Sequence, residues 1–229
     1  MISIVIPTYN EADNIARLVS YLVANSGKND CEIIVSDGGS TDETIKIAQS
    51  FGVKAVLSAN KGRAAQMNYG ASIALGDILY FIHADTFPPL TFVNDINQAV
   101  SAGYAFGRYR TVFDSKKFIL KINAFFTRFD WFISYGGDQT LFMTTSLFNA
   151  IKGFDEPMLI MEDYDIVTRA KKAGRYKIFR KAALISARKY ETNSWLKVQL
   201  ANGRILQMYK GGALQQDMVN KYKEMLVYR

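Results

Sequence analysis

The residues able to do chemistry fall into four short groups. His83 and Asp85 close the run Ile78-Leu79-Tyr80-Phe81-Ile82. Five apolar residues between Gly76-Asp77 and Pro88-Pro89 predict a strand buried on both faces, as at the centre of a parallel sheet. Ligands of open α/β sheets bind outside the carboxyl ends of the strands, so an imidazole and a carboxylate there can hold a metal or a phosphate. Asp85 can equally cap the turn into the helix after Pro89. The second group, Asp37-Gly38-Gly39-Ser40-Thr41-Asp42, sets two glycines among polar groups just before a helical pattern. Such a loop lets backbone approach a ligand and leaves helix N-terminal amides nearby. The third is the basic turn Lys61-Gly62-Arg63. The fourth, Glu162, Asp163 and Asp165, packs three carboxylates into four residues; the helix dipole alone favours acid in a first turn, but the density is notable.

The elements that must position these groups read as alternating strands and helices. Ser3 to Pro7 is an apolar strand, and Asn10 and Asp13 offer caps for a helix through about Val23 with Ile15, Leu18, Val19 and Leu22 at helical spacing. Glu32 to Ser36 is a second strand, followed by a helical pattern through Phe51, a strand at Val53 to Leu57, and a helix containing Met67 and Ile73. Three strand-helix pairs leading into the Ile78 strand predict a parallel, Rossmann-like sheet with right-handed crossovers. No Gly-x-Gly-x-x-Gly loop is present and Lys61-Gly62-Arg63 is not a Walker loop, so neither NAD binding nor ATP hydrolysis is expected.

Beyond a helix at about Thr91 to Ser101 and a strand at Tyr104 to Phe113, residues Phe118, Ile122, Phe125, Phe126, Phe129, Phe132 and Ile133 share one helical face. An aromatic stripe of this kind predicts a core face; membrane-interface contact and a dimer surface are its other uses. The loop 136–139 precedes a further strand and a helix ended by Gly153. After the acidic helix, strands are expected near Tyr176 to Phe179 and Leu184 to Ala187, then two basic helical segments from Ser194, with a boundary near residue 190 dividing a domain of residues 1–190 from an extension of 191–229.

With 229 residues, 49% of them hydrophobic, the chain can bury a core without disulfides. Its single cysteine, Cys31, fits a reducing compartment, and the absence of a leader-like start or of about 18 consecutive apolar residues points to a cytoplasmic protein. The net charge of +7 is uneven: residues 1–165 hold 13 Lys+Arg against 18 Asp+Glu, and residues 166–229 hold 15 against 3. A solvated basic face is the ordinary reading, with phosphates or anionic lipid as partners of such a region. No zinc pattern or aromatic nucleic-acid platform accompanies it, so nucleic acid is not expected.

Taken together, Ile4-Val5-Ile6-Pro7-Thr8-Tyr9-Asn10-Glu11, the Asp37 to Asp42 loop, His83-Ala84-Asp85 and Glu162-Asp163-Tyr164-Asp165 resemble the family 2 glycosyltransferases of the GT-A fold, over residues 2 to about 190. Within that family the chain looks like a small bacterial branch with His-Ala-Asp in place of Asp-x-Asp. The resemblance implies an α/β fold whose nucleotide-binding half has a mostly parallel sheet flanked by helices, and an inverting transfer from a nucleoside-diphosphate sugar of UDP or GDP type with Mn²⁺ or Mg²⁺. It implies Pro7, Tyr9, Glu11, Asp37, Gly39, Ser40, Lys61, Arg63, His83, Ala84 and Arg188 around the nucleotide and Asp85 on the metal. It also implies Asp163 as general base with Glu162 its rival, and Asp138 and Gln139 on the acceptor.

The roles suit the side chains. Glu11 and Asp37 accept from ribose hydroxyls and ring N–H groups, and Lys61 and Arg63 offer charge to a diphosphate. His83 departs from the family's first carboxylate; imidazole suits Mg²⁺ poorly, which puts weight on Asp85. The Gln-x-x-Arg-Trp of processive synthases is absent, so single transfers are expected, to an acceptor that the residues leave open, a lipid-linked one and peripheral attachment at the inner membrane face included. Two alternatives stand beside this: a silent nucleotide-sugar-binding protein that lost its metal at His83, and a sugar-phosphate nucleotidylyltransferase, whose Gly-rich N-terminal loop is missing.

Overall fold

A computed structural model describes residues 1–27, 30–136 and 139–227. The first half alternates strand and helix: β1 (Ile2–Thr8), α1 (Ala12–Asn25), β2 (Cys31–Asp37), α2 (Thr44–Ser50), β3 (Lys54–Leu57), α3 (Arg63–Ser72) and β4 (Ile78–Phe81). These four strands pair in parallel in the order β3-β2-β1-β4. Ile15, Leu18, Val19 and Leu22 of α1 are wholly buried, as their spacing predicts. The expected caps are not used there: Glu11 occupies the N-cap position without a side-chain capping bond, and Asn10 instead takes a left-handed conformation (φ 54°) and turns its side chain to the Ser40 loop.

The second half continues the sheet: β5 (Thr86–Phe87), α4 (Phe92–Ser101), β6 (Phe106–Phe113), α5 (Phe118–Phe126), a 3₁₀ turn (Phe132–Ser134), β7 (Leu141–Thr144), α6 (Thr145–Ala150), α7 (Glu162–Ala170) and β8 (Tyr176–Ile185). The full order is β3-β2-β1-β4-β7-β6-β8-β5. β4 is therefore not inside a wholly parallel sheet. It pairs in parallel with β1 and antiparallel with β7, and its four residues are buried because α-helical layers cover both faces of that junction. The two strands expected between Tyr176 and Ala187 are one, since β6 offers a continuous partner along its length with a single register shift.

The aromatic stripe overturns the expectation of a core face. In α5 the buried residue is Leu120, while Phe118, Ile122, Phe125 and Phe126 are exposed, and the helix ends at Phe126, before Phe129, Phe132 and Ile133 of the expected face. The inward face carries Leu120, which packs against Ala187, Tyr190 and Val198, and Asn123 and Thr127, whose polar groups meet the Tyr190 hydroxyl and the Thr111 amide.

The chain then enters α8 (Lys189–Thr192), α9 (Trp195–Lys210) and α10 (Gln215–Met225). Ser194 caps α9 by accepting from the Lys197 amide. These helices build two small cores, one with Leu120 and Ala187, the other with Met158 and Met161. Among the described residues no helix is long and apolar enough to cross a membrane.

Candidate active site

β2 lies on one side of β1 and β4 on the other, so the crevice beyond their carboxyl ends is a topological switch point, the place where open α/β sheets take ligands. Buried Gln66 of α3 donates through Nε2 to the carbonyls of Thr8 (2.5 Å) and Ser36 (3.2 Å) at the ends of β1 and β2. A buried amide must find such partners, and here it satisfies backbone where the strands diverge. Nothing but a lone Gln on an apolar helix face signals this role in the sequence.

On the β2 side, Asp37 is fully buried and organises its own loop. Oδ1 accepts from the amides of Gly39 (2.8 Å) and Ser40 (2.7 Å), and Oδ2 from the hydroxyls of Thr8 (2.9 Å) and Ser40 (2.6 Å). The turn requires φ 92° at Gly39, a left-handed conformation that a side chain would strain. Ser40 Oγ also accepts from the Asn10 amide (2.8 Å), and Asn10 Oδ1 accepts from the Thr41 amide (2.9 Å), which locks the β1 and β2 loops together. Tyr9 is exposed on this rim. Pro7 does not stand beside it: it is buried within β1, opposite Ser36, so of these two residues expected around the nucleotide only Tyr9 reaches the surface.

On the β4 side, Arg188 draws three loops together. Its Nη2 lies 2.9 Å from Asp85 Oδ2 and 3.4 Å from both oxygens of Glu11, so the ends of β1, β4 and β8 meet at one guanidinium. Partial burial works against the cation, but the hydrogen bond to Asp85 and the charges of Glu11 and Asp85 outweigh it and raise its pKa above the ordinary arginine value. His83 is half-buried, its carbonyl accepting from the Thr86 amide (3.0 Å), and Ala84 is buried.

Among the described residues no three His, Cys, Asp or Glu side chains converge on one point. A resident all-protein metal cage is thus not formed by them. A single carboxylate at the strand end does fit a Mg²⁺ or Mn²⁺ that takes its remaining ligands from substrate phosphates and water.

The third and fourth groups meet across the crevice. Arg63, in the first turn of α3, donates through Nε to Oε1 of Glu162 in the first turn of α7, and Glu162 is only 1% exposed. Asp165 is paired within its helix to Arg169 Nε (2.7 Å). Asp163 is half-buried between them on the same first turn. Met161, at the N-cap of α7, holds φ 72°, a costly conformation for an unbranched apolar residue. Lys61 is exposed on the loop after β3, just before Gly62 (φ 116°) at the N-cap of α3. Gln139 donates to the Ser134 carbonyl, and Asp138 lies outside the described residues.

The sequence profile described as Glycosyl transferase family 2 matches residues 3–155, two-thirds of the chain. The chain belongs to this family. A curated relative, Glycosyltransferase GlyG of Streptococcus pneumoniae serotype 4, is 31% identical over 106 residues, which is 44% of this chain and 35% of that protein. The match thus spans about a third of the relative's length. Among solved structures, S. aureus TarS 1-349 in complex with UDP-GlcNAc superposes with a TM-score of 0.70 at 18% identity, covering 82% of this chain and 58% of TarS 1-349. The mannosyltransferase PcManGT from Pyrobaculum calidifontis, in complex with GDP-Man and Mn²⁺, gives 0.68 at 17%, covering 92% and 63%. At these identities the likeness establishes the fold, which is GT-A.

Proposed function

We propose that this protein transfers a glycosyl group from a nucleoside-diphosphate sugar to an acceptor hydroxyl with inversion at the anomeric carbon. The observation that carries the reading is the junction of Glu11, Asp85 and Arg188 at the switch point, opposite the acidic first turn of α7. One rim can take a nucleotide and the other a hydroxyl. The UDP-GlcNAc and GDP-Man held by TarS and PcManGT support a donor of the same class, with uracil or guanine as base.

In this reading Tyr9 covers the base, Glu11 accepts from ribose, Gly39 and Ser40 border the base, and Asp37 Oδ2 takes a ring N–H when the Ser40 hydroxyl gives up its place. Lys61, Arg63 and Arg188 face the diphosphate, with His83 and Ala84 along its path. Asp85 holds the divalent metal, which when bound supplies charge to the leaving diphosphate. Arg188 must then release or share Asp85. It moves onto the phosphates, where a cation is most useful as the bond from the anomeric carbon to the diphosphate oxygen breaks and that oxygen keeps the electron pair. The acceptor oxygen forms its bond to the same carbon from the opposite face, and its proton passes to Asp163. Glu162 is a poorer base, since its buried carboxylate is engaged by Arg63. Gln139 and Asp138 border the acceptor. Residues 1–190 form the transferase domain, and residues 191–229 an extension that holds the acidic turn in place.

Proton transfer of this kind contributes about 10² to 10⁴-fold in rate. Asp163→Asn is expected to keep donor affinity near wild type while transfer falls at least about a hundredfold. If Glu162→Gln abolishes transfer and Asp163→Asn does not, the base is Glu162.

A further inference from the structure

The apolar face of α5 points away from the protein. Phe118, Ile122 and Phe125 follow at helical spacing with Phe126 beside them, and all four are exposed, Phe118 to 74%. The ridge continues past the helix: Phe129 stacks on Trp131 at 4.7 Å between ring centroids, Phe126 on Trp131 at 6.0 Å, and Trp131 is itself 50% exposed. These rings order one another while leaving their outer faces to solvent. A contiguous aromatic surface of this sort is costly in water and marks a contact site.

The charges around the ridge are mostly positive. Lys116, Lys121 and Arg128 are exposed beside it, and Arg128 lies over the Phe125 ring at 3.6 Å. Of the two acids nearby in sequence, Asp130 is already paired with Lys171 (2.6 Å), and Asp114 lies at the far end beside Lys116. A second copy of the chain docked by two-fold symmetry would bring these cations against themselves, on a molecule of net charge +7. An anionic bilayer complements both features at once: aromatic rings enter the headgroup boundary while Lys and Arg meet lipid phosphates.

We propose that the ridge formed by α5 and residues 125–131 docks this protein on an anionic membrane surface. The ridge is anchored to the segment that carries Arg188: Lys117 Nζ donates to the Tyr190 carbonyl (2.6 Å), and Asn123 Nδ2 lies 3.5 Å from the Tyr190 hydroxyl. Docking by the outer face of α5 would leave the segment that carries Arg188 directly behind the membrane-bound helix. Resting on the function proposed above, the acceptor is then an amphiphile whose hydroxyl lies at the bilayer surface.

Co-sedimentation with vesicles tests this, using phosphatidylcholine alone and phosphatidylcholine mixed with phosphatidylglycerol. Wild-type protein is expected to sediment with the mixed vesicles at low salt and to be released as salt rises, because exposed charges are screened within about 8 Å at physiological ionic strength. Phe125→Ser/Phe126→Ser/Trp131→Ser is expected to lose the binding while keeping its melting temperature and its donor hydrolysis in solution. Lys116→Glu/Lys121→Glu/Arg128→Glu is expected to lose it as well. Absence of binding by wild type at low salt, or equal binding by the aromatic variant, overturns the proposal. So does a wild-type dimer in light scattering that the aromatic variant converts to monomer, which assigns the ridge to a second copy. Donor hydrolysis is read separately, so a failure of the glycosyl-transfer reading leaves the vesicle result intact.

Discussion

Asp37 receives four internal hydrogen bonds, two on each oxygen, so a nucleobase N–H reaches it only by replacing a donor already there. Ser40 is the one that can yield: its oxygen stays fixed by the Asn10 amide while its proton turns away from Oδ2. A hydrogen bond to a charged group contributes about 1.5 to 3 kcal/mol. Asp37→Ala is therefore expected to weaken uridine or guanosine diphosphate by roughly ten- to a hundredfold in calorimetry. Unchanged affinity for both would leave Asp37 as the organiser of its loop and no more. The Arg63–Glu162 pair is the converse case: a charge pair expected to serve the diphosphate and the acceptor is here one contact tying α3 to α7, and only a move of Arg63 frees it for phosphate.

At the scale of elements, α3 and the C-terminal helices do the positioning. Gln66 of α3 satisfies the strand ends, and Asn68 brackets Phe154 by donating to its carbonyl and accepting from its amide, both at 2.9 Å. That fixes the loop leading to the acidic turn from one side. From the other, Gln215 Oε1 of α10 accepts from the amides of Leu159 (3.0 Å) and Ile160 (3.2 Å), and the Met161 side chain is buried with Ile205 and Met218. The left-handed Met161 persists because these contacts over-determine it. Gln215→Ala is expected to cut transfer by about tenfold through misplacement of Asp163, with donor affinity unchanged. A purely structural role would lower the melting temperature and leave the rate of the folded protein intact.

Across the whole molecule, the exposed aromatic segment is held to the body by ion pairing as well as by packing. Lys171, the C-cap of α7, donates to Asp130 (2.6 Å) and to the Tyr135 hydroxyl (2.7 Å). Desolvation alone would raise the Asp130 pKa, but the hydrogen bonds from Lys171 and Tyr135 hold it below the usual carboxylate value. For Lys171 desolvation acts downward, and the bonds to Asp130 and Tyr135 more than offset it, leaving its pKa raised. The Asp130 contribution to stability is thus present above about pH 4 and is lost as pH falls through the lower folded pKa. The Lys171 contribution is present below about pH 10 and is lost as pH rises through its raised pKa. Both groups are partly exposed, so the pair contributes about 0.2 to 1 kcal/mol. Asp130→Asn is expected to lower stability by that amount at pH 7 and to make the acid-side decline below pH 4 shallower, as read from urea unfolding across pH. An unchanged acid slope would show that other carboxylates govern it.

The sequence by itself determined the half in which strands and helices alternate. Apolar runs of strand length alternating with 3.6-residue patterns have one economical burial, a parallel sheet under helices, and the Asp37 loop and the Asp85 strand end fall at its carboxyl edge because chain direction alone puts them there. The spacing of Ile15, Leu18, Val19 and Leu22 was enough to identify the buried face of α1. Tertiary structure decided the rest. Arg188 joins Glu11 and Asp85 across 177 and 103 residues, a meeting that no local pattern encodes. The switch from parallel to antiparallel at β4 depends on where β7 returns. The rotation of α5 goes with contacts distant in sequence: Leu120 packs with Ala187, Tyr190 and Val198, Asn123 donates to the Tyr190 hydroxyl, and Thr127, just past the helix, accepts from the Thr111 amide, while the aromatic face is turned outward.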